Sequence, residues 1–258
     1  MTLAGKTIIV TGTSRGIGAE TARQMSEAGV RVIGMDRNET TENVATYIPL
    51  DLADATSIEA AVAQIDEPIH GLCNIAGVAP TLPPAAVLKI NFLGTRLLTD
   101  TLAPKLVEGA SIVNIASGTA MGWPRNIDKL KALMDLGLGD DLEAYCSENG
   151  IEKANSYQFS KEAVIVWTIQ QWKTWSARNI RMNSVSPGPI ETPLLPDFLS
   201  DMTPPDAPMY EMERNGTPEE IAEVILFLQG ESSRWIHAAN IPVDGGLTAI
   251  VQKRIHQL

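Results

Sequence analysis

A single α/β domain, with β-branched strands alternating with amphipathic helices, is what this sequence predicts, and two observations carry the prediction. The first is size and composition: 258 residues, 44% hydrophobic and 20% charged, suit one large domain able to bury a sizeable core. The second is the opening unit, in which the run Thr7-Ile8-Ile9-Val10 leads into Thr11-Gly12-Thr13-Ser14-Arg15-Gly16-Ile17-Gly18 and then a helix with Ala19, Ala22 and Met25 on its inner face. Strand, glycine turn and helix in that order are the start of a parallel α/β sheet.

Composition also excludes whole classes of partner. A net charge of −11 with no basic run argues against nucleic acid and anionic membranes, which select basic surfaces. The first residues lack the apolar core of a signal peptide, and no stretch approaches the ~20 apolar residues of a membrane span, so a cytoplasmic protein is expected. Cys73 and Cys146 have no CxxC spacing, and His70, His237 and His256 are scattered. Neither a disulfide framework nor a metal site is predicted.

The glycine turn has a chemical meaning. Unpaired N–H groups and the dipole at a helix N-terminus favour a pyrophosphate. Gly12 permits the tight turn, Gly16 leaves room for phosphates and Gly18 lets helix and strand pack closely; an ordinary βα turn with flexible residues is the alternative. The next strand, Arg31-Val32-Ile33-Gly34-Met35, ends at Asp36. An acidic side chain ~20 residues beyond the glycines suits the ribose hydroxyls of NAD and repels the extra phosphate of NADP. Arg15 and Arg37 could instead bind that phosphate, which keeps NADP as the alternative cofactor.

Too few residues separate Asp36 from Asp51-Leu52 for a crossover helix and a strand, so the sheet is abbreviated there. A helix through Ile58, Val62 and Ile65 ends before Pro68, and the strand Gly71-Leu72-Cys73-Asn74-Ile75 runs into Ala76-Gly77. One long helical stretch is expected from Pro84 to Pro104, with Leu88, Asn91, Phe92, Thr95 and Leu98 at helical spacing. Asn91 within that apolar face is either satisfied internally or functional. Ala110–Ile115 reads as a buried strand, and Ser117 falls just past its end, where ligands bind in open parallel sheets.

Tyr157 and Lys161 stand four positions apart at the opening of a long helix, which puts them on one face. A nearby ammonium draws a phenol's pKa down from ~10, and a fall of roughly three units corresponds to about 4 kcal/mol of differential interaction, which the ammonium and a second cation, an oxidised nicotinamide ring, supply together in a dry site. The pair is a candidate proton-transfer device, with a solvated helix face as the alternative.

Taken together, Gly12…Gly16-Ile17-Gly18, Asn74-Ile75-Ala76-Gly77, Asn91, Ser117, Tyr157…Lys161, Pro187-Gly188 with Thr192, and Val243-Asp244-Gly245-Gly246 resemble the short-chain dehydrogenase/reductase family. The resemblance implies a doubly wound parallel sheet (a Rossmann fold) in three α/β/α layers, and reversible hydride transfer between an alcohol or carbonyl and a nicotinamide. It implies Tyr157 as acid/base, Ser117 as the group orienting the substrate oxygen, Lys161 as the group lowering the phenol pKa and holding the nicotinamide ribose, and Asn91 as holder of a relay water. Cofactor contacts are implied for Gly12, Ser14, Arg15, Gly16, Ile17, Gly18, Asp36, Arg37, Asp51, Leu52, Asn74, Ala76, Gly77, Tyr157, Lys161, Pro187, Gly188, Ile190 and Thr192. All four catalytic groups are present, which favours an enzyme over a nucleotide-binding regulator on the same fold.

Two departures matter. Residues 118–155 intervene between Ser117 and Tyr157, with Leu130, Leu133, Met134 and Leu136 in helical rhythm, so a helical insertion of the single 1–258 domain is expected beside the site. With the abbreviated sheet and the runs Asp36-Arg37-Asn38, Gly71–Gly77, Glu162–Trp167 and Ser233–Ile236, this resembles the subgroup that acts on coniferyl alcohol and 3α-hydroxysteroids. The loop 187–216 holds Leu194, Leu195, Phe198, Met202, Met209 and Met212, which predicts a lid over an apolar substrate. The expected substrate pocket is Ser117, Thr119, Met121, Trp123, Tyr157, Leu194, Leu195 and Phe198. The expected substrate is an apolar, aromatic alcohol or its aldehyde such as coniferyl alcohol, a 3α-hydroxysteroid being the alternative. The resemblance implies a homodimer or homotetramer; the aromatic face Val164, Trp167, Ile169, Trp172 and Trp175 is read as core or subunit interface.

Overall fold

The β-branched runs form the strands of a parallel sheet in the computed structural model, which describes residues 3–198 and 207–258. Among them the sheet has seven strands: β1 (Thr7–Thr11), β2 (Arg31–Asp36), β3 (Thr46–Pro49), β4 (Ile69–Asn74), β5 (Leu106–Ile115), β6 (Arg181–Pro187) and β7 (Asn240–Val243). Their order is β3-β2-β1-β4-β5-β6-β7, every pair parallel. The chain winds outward from β1 in one direction and from β4 in the other, so a crevice opens at the carboxyl ends of these two strands. β3 follows β2 through a loop without a helix, which is the abbreviation the short spacing predicts.

Helices cover both faces. On one lie α1 (Gly16–Glu27) and α9 (Pro218–Gln229); on the other lie α2 (Ala55–Ala63), α3 (Pro84–Leu88), α4 (Thr95–Leu102) and the long α7 (Lys153–Gln170), while the C-terminal α10 (Leu247–His256) packs instead against the segments Gly118–Asn126 and Pro208–Glu211. The strands carry apolar residues on both sides, as sheets buried on both faces require. Ile8 and Val10 pack with α1 and α9, whereas Ile9, Leu72 and Ile112 pack with Phe92, Leu98 and Trp167. The Phe92 and Trp167 rings meet edge-on at 6.2 Å and 78°, an arrangement worth about 0.5–1.5 kcal/mol beyond its area.

The stretch Pro84–Leu102 is not one regular helix as the sequence predicts. Lys89–Gly94 is a π-helical turn between α3 and α4. The helix passes hard against the turn after β3 here: a methyl group on Gly94 would stand 1.9 Å from the Leu52 carbonyl oxygen. The widened turn re-aims Asn91 inward, as such turns often do at functional sites.

The stretch 118–155 forms a 3-10 segment (Gly118–Asn126), α5 (Ile127–Met134) and α6 (Leu142–Asn149). Leu130, Leu133, Leu142, Tyr145 and Cys146 join the core on the α7 side, with the Tyr145 and Phe159 rings 6.5 Å apart. Arg96 on α4 donates to the carbonyls of Met134, at 2.7 Å, and Leu136, so these helices are strapped across α4 as well as α7. Beyond α7, the short α8 (Trp172–Ser176) buries Trp175, while Trp172 and Ile169 stay exposed. The expected aromatic face is therefore split between core and surface.

Candidate active site

A cavity of about 1040 Å³ occupies the crevice beyond β1, β4 and β5, at the upper end of small-molecule sites. Its floor is the glycine turn. Gly12 has φ +79°, and a methyl group there would stand 3.0 Å from the Ala76 backbone; one on Gly18 would stand 2.0 Å from the Gly12 carbonyl oxygen. Only glycine lets the first turn, α1 and the β4 exit come this close. Thr11, which sequence reasoning passed over, ties them together. Its hydroxyl donates to the Cys73 carbonyl at 3.3 Å and accepts from Ile75 and Ala76 N–H at 2.9 and 3.0 Å.

Asp36 ends β2 with one oxygen accepting from Ser14 N–H at 3.0 Å and the other from Asn38 N–H at 2.9 Å. The carboxylate is thereby held beside the glycine turn, with lone pairs left for hydroxyl donors. Ser14, Arg15, Gly16, Ile17, Arg37, Asp51, Leu52, Ala76 and Gly77 line the same cavity, as do Pro187, Gly188, Ile190 and Thr192 from the other side. Thr192 packs over Gly16, and a short parallel bridge between Ile190 and Gly216 closes the base of the 187–216 loop. A crevice with this cradle of glycines fits a dinucleotide: its pyrophosphate at the α1 N-terminus, its ribose at Asp36.

Asn74 departs from the expected set. Its amide donates inside the sheet to Thr99, at 3.0 Å, and to Asn114, at 2.8 Å, and it does not line the cavity. The physical reason is strand alternation, which turns this residue towards α4 rather than the crevice. Asn91 is likewise engaged internally. Its oxygen accepts from Val78 N–H at 2.8 Å, and its amide donates to the Val78 carbonyl at 3.0 Å and to Ser160 at 3.1 Å. Gly77 fits between Asn91 and Lys161, since a methyl group there would lie 3.1 Å from Asn91 Oδ1 and 3.5 Å from Lys161 Nζ.

Ser117, Tyr157 and Lys161 converge on one wall. Ser117 leaves β5 with extended backbone, and its hydroxyl accepts from Thr119 N–H and Thr119 Oγ1 at 3.2 and 3.0 Å. Lys161 is buried and donates to the Ile115 carbonyl at 2.8 Å, with Nζ 5.8 Å from the Tyr157 ring centre. Burial pushes the lysine down to about 8 and pushes the phenol up to about 12, the hydrogen bond with Ser117 opposing the latter. Burial therefore dominates the phenol among the protein's own groups, and the expected lowering by Lys161 together with a nicotinamide cation belongs to the cofactor-bound state.

The expected substrate residues divide. Thr119, Met121, Leu194, Leu195 and Phe198 line the cavity, and Phe198 lies edge-on to Tyr157 with ring centres 4.6 Å apart. Trp123 instead packs against the core behind the wall. Met202 lies outside the described residues. Sequence reasoning missed the end of the chain: Leu247, Val251 and Ile255 of α10 also face the cavity. Their i, i+4, i+8 spacing is the signal that was available. Asp244 positions this helix by accepting from Gly246 N–H at 3.0 Å and Thr248 N–H at 2.8 Å, which explains the Val243–Gly246 run. Arg254 then pairs with Glu211 across the loop.

Among the described residues, no group of acidic, histidine or cysteine side chains could hold a metal, and no helix is long and apolar enough to cross a membrane. Comparison with known proteins agrees with the geometry. Residues 6–127 match the family described as short chain dehydrogenase, and residues 141–248 the one described as enoyl-(acyl carrier protein) reductase. The chain is 40% identical, over 96% of its length and 99% of the relative's, to a coniferyl-alcohol dehydrogenase of Pseudomonas sp. strain HR199. It is 28% identical to the 3-alpha-hydroxysteroid dehydrogenase/carbonyl reductase of Comamonas testosteroni, over 95% and 97% of the two chains. Among solved structures, a 3-alpha-hydroxysteroid dehydrogenase of Pseudomonas sp. B-0831 complexed with NADH superposes with a TM-score of 0.82 at 29% identity, covering 96% of this chain and 99% of that one. With a parallel crevice shaped for a dinucleotide, and a serine, tyrosine and lysine gathered on its wall, the chain belongs to the short-chain dehydrogenase/reductase family, oxidoreductases that move a hydride between a nicotinamide and an alcohol or carbonyl.

Proposed function

We propose that this protein is an NAD-dependent dehydrogenase of apolar aromatic alcohols, with coniferyl alcohol as the type of substrate. The observation that carries the reading is Phe198 stacked edge-on over Tyr157, with Leu194, Leu195, Met121 and Val251 around the same space. An apolar enclosure over the proton-transfer group favours an aryl or alicyclic alcohol over a sugar. The name of the 40%-identical relative supports the aryl alcohol.

In this reading Ser117 hydrogen-bonds the substrate oxygen and Tyr157 takes the hydroxyl proton during oxidation, returning it during reduction. The bound nicotinamide supplies the hydride acceptor or donor. Lys161 provides a fixed positive charge near the phenol and a donor for the ribose. Asn91 acts as a brace: its amide joins Val78 to Ser160, so it holds the π-helical turn against α7. Asp36, fixed by two backbone N–H groups, favours NAD because a ribose phosphate would meet a carboxylate; Asp51 is the candidate partner for the adenine amino group.

Steady-state turnover with NAD and with NADP, against coniferyl alcohol, cinnamyl alcohol and a 3α-hydroxysteroid, tests the reading. Preference for the aryl allylic alcohols with NAD is expected. Preference for the steroid would move the assignment to the second reading, which the 0.82 superposition supports. A homodimer or homotetramer is part of the proposal. The helices of 118–155 cover α4 and α7 through Arg96 and Tyr145, whereas Phe227 on α9 and Trp235, 96% exposed, leave an apolar surface elsewhere. Light scattering of a Phe227→Glu, Trp235→Glu variant should show smaller particles than the parent; equal mass would exclude this surface.

A further inference from the structure

The residue after Lys161 is a buried carboxylate that the proposed reaction does not use. Glu162 is 0% exposed, and none of the ion pairs among the described residues includes it. Its oxygens accept from two neutral amides, Gln158 Nε2 at 2.8 Å and Asn126 Nδ2 at 2.7 Å. A carboxylate taken out of water is costly unless such bonds satisfy it. An apolar side chain would fill the same space without that cost.

What the two amides belong to gives the carboxylate a purpose. Gln158 follows Tyr157 and lines the cavity. Asn126 ends the 3-10 segment whose Thr119 and Met121 form the cavity wall. That segment has weak internal bonding, since 3-10 geometry is poor and Pro124 lacks an N–H. Its middle reaches the helix only because Gly122 has no side chain: a methyl group there would lie 3.0 Å from Glu162 Oε1 and 3.3 Å from Gln158 Nε2.

We propose that Glu162 is a positioning residue for substrate selection: by gripping Asn126 and Gln158 it docks the Gly118–Asn126 wall on α7 and fixes the depth of the pocket above Ser117 and Tyr157. The proposal rests on reading this wall as the substrate side of the cavity.

A swap of the paired groups tests it. Glu162→Gln leaves one acceptor oxygen for two amide donors, and Asn126→Asp sets a second carboxylate against the first. The double variant restores complementarity, because the introduced amide can donate to the introduced carboxylate while its oxygen still accepts from Gln158. KM and kcat are measured with whichever of coniferyl alcohol or a 3α-hydroxysteroid the wild type turns over, alongside NADH affinity and hydrogen exchange of the 118–126 amides. Each single change should raise KM about 10-fold, the scale of one charge-assisted hydrogen bond, with kcat and NADH affinity nearly constant and faster exchange in 118–126. The double change should reverse both effects. Unchanged KM in both single variants, or no recovery in the double, overturns the proposal. If one single variant does not fold, Asn126→Ala, which keeps the Gln158 bond, gives the same KM and exchange readout. Should the wild type turn over neither alcohol, the substrate reading has failed separately and exchange decides: faster in the singles and restored in the double supports the docking, unchanged overturns it.

Discussion

The two sides of the cavity are built by different means. On the cofactor side, Gly12, Asp36, Ala76 and Gly77 sit at strand ends, held by backbone groups and by the Thr11 hydroxyl. On the substrate side, the Gly118–Asn126 wall is joined to α7, and α10 to the 187–216 loop, by pairs of side chains: Glu162 with Asn126 and Arg254 with Glu211. On the cofactor side each such bond ends on a backbone N–H, which every residue type but proline supplies, whereas the Glu162–Asn126 and Arg254–Glu211 contacts need particular side chains at both ends. One cofactor frame can therefore carry many substrate pockets, and tolerance to mutation should differ across the cavity.

The proposed chemistry lies at the seam between the sides, so the largest effect is expected there. Tyr157→Phe should lower kcat by roughly 100- to 10,000-fold, the usual worth of a positioned acid/base, while NADH binding followed by fluorescence stays near the parent value. Undiminished turnover would refute the assigned role.

On the cofactor side, Gly18→Ala should cost about 3 kcal/mol or more in denaturant unfolding, because the new methyl group meets backbone at 2.0 Å that cannot step aside. Gly139→Ala, where nothing lies within 4 Å and φ is not left-handed, is the matched control and should be nearly neutral. Equal losses at both positions would mean that close approach is not what the glycine turn requires. On the other side, Arg96→Ala should cost about 1.5–3 kcal/mol through the Met134 and Leu136 carbonyls it satisfies, with NADH affinity unchanged.

Protonation sharpens the comparison at the seam. Lys161 falls from its ordinary value to about 8 on folding, so the unfolded chain binds more protons between about 8 and its ordinary lysine value. Stability should rise with pH through that window relative to Lys161→Met. Tyr157 is raised to about 12, so its share is present below the ordinary tyrosine value and lost as pH climbs towards 12. Alcohol oxidation, which needs the phenolate, should accelerate with pH; carbonyl reduction, which needs the phenol, should stay level through neutrality. The smallest effect is expected at the exposed clasp: Glu211→Ala should shift stability by only about 0.2–1 kcal/mol, and its mark should be a changed alcohol KM.

The expected residues that the structure gathers on the crevice are those with local geometry. The glycine turn, Asp36 at a strand end, Ser117 past β5 and the Tyr157–Lys161 pair all follow from spacing within one element and its exit. Asn74 was misplaced because its direction depends on which face of β4 meets α4. Trp123 was misplaced because a wall residue and a core residue look alike in a 3-10 segment. Glu162 reads as an ordinary charged helix position until Asn126 arrives from another element.

The sequence by itself determined the fold class and the glycine frame of the crevice, because strand and helix periods and a single glycine turn are local properties of the chain. Only the tertiary structure decided that the helix from Pro84 contains a π-helical turn, that α10 closes the pocket, that Asn91 braces rather than faces the cavity, and that burial sets the Tyr157 and Lys161 protonation. Each of these depends on groups distant in sequence meeting in space, and on water being excluded where they meet.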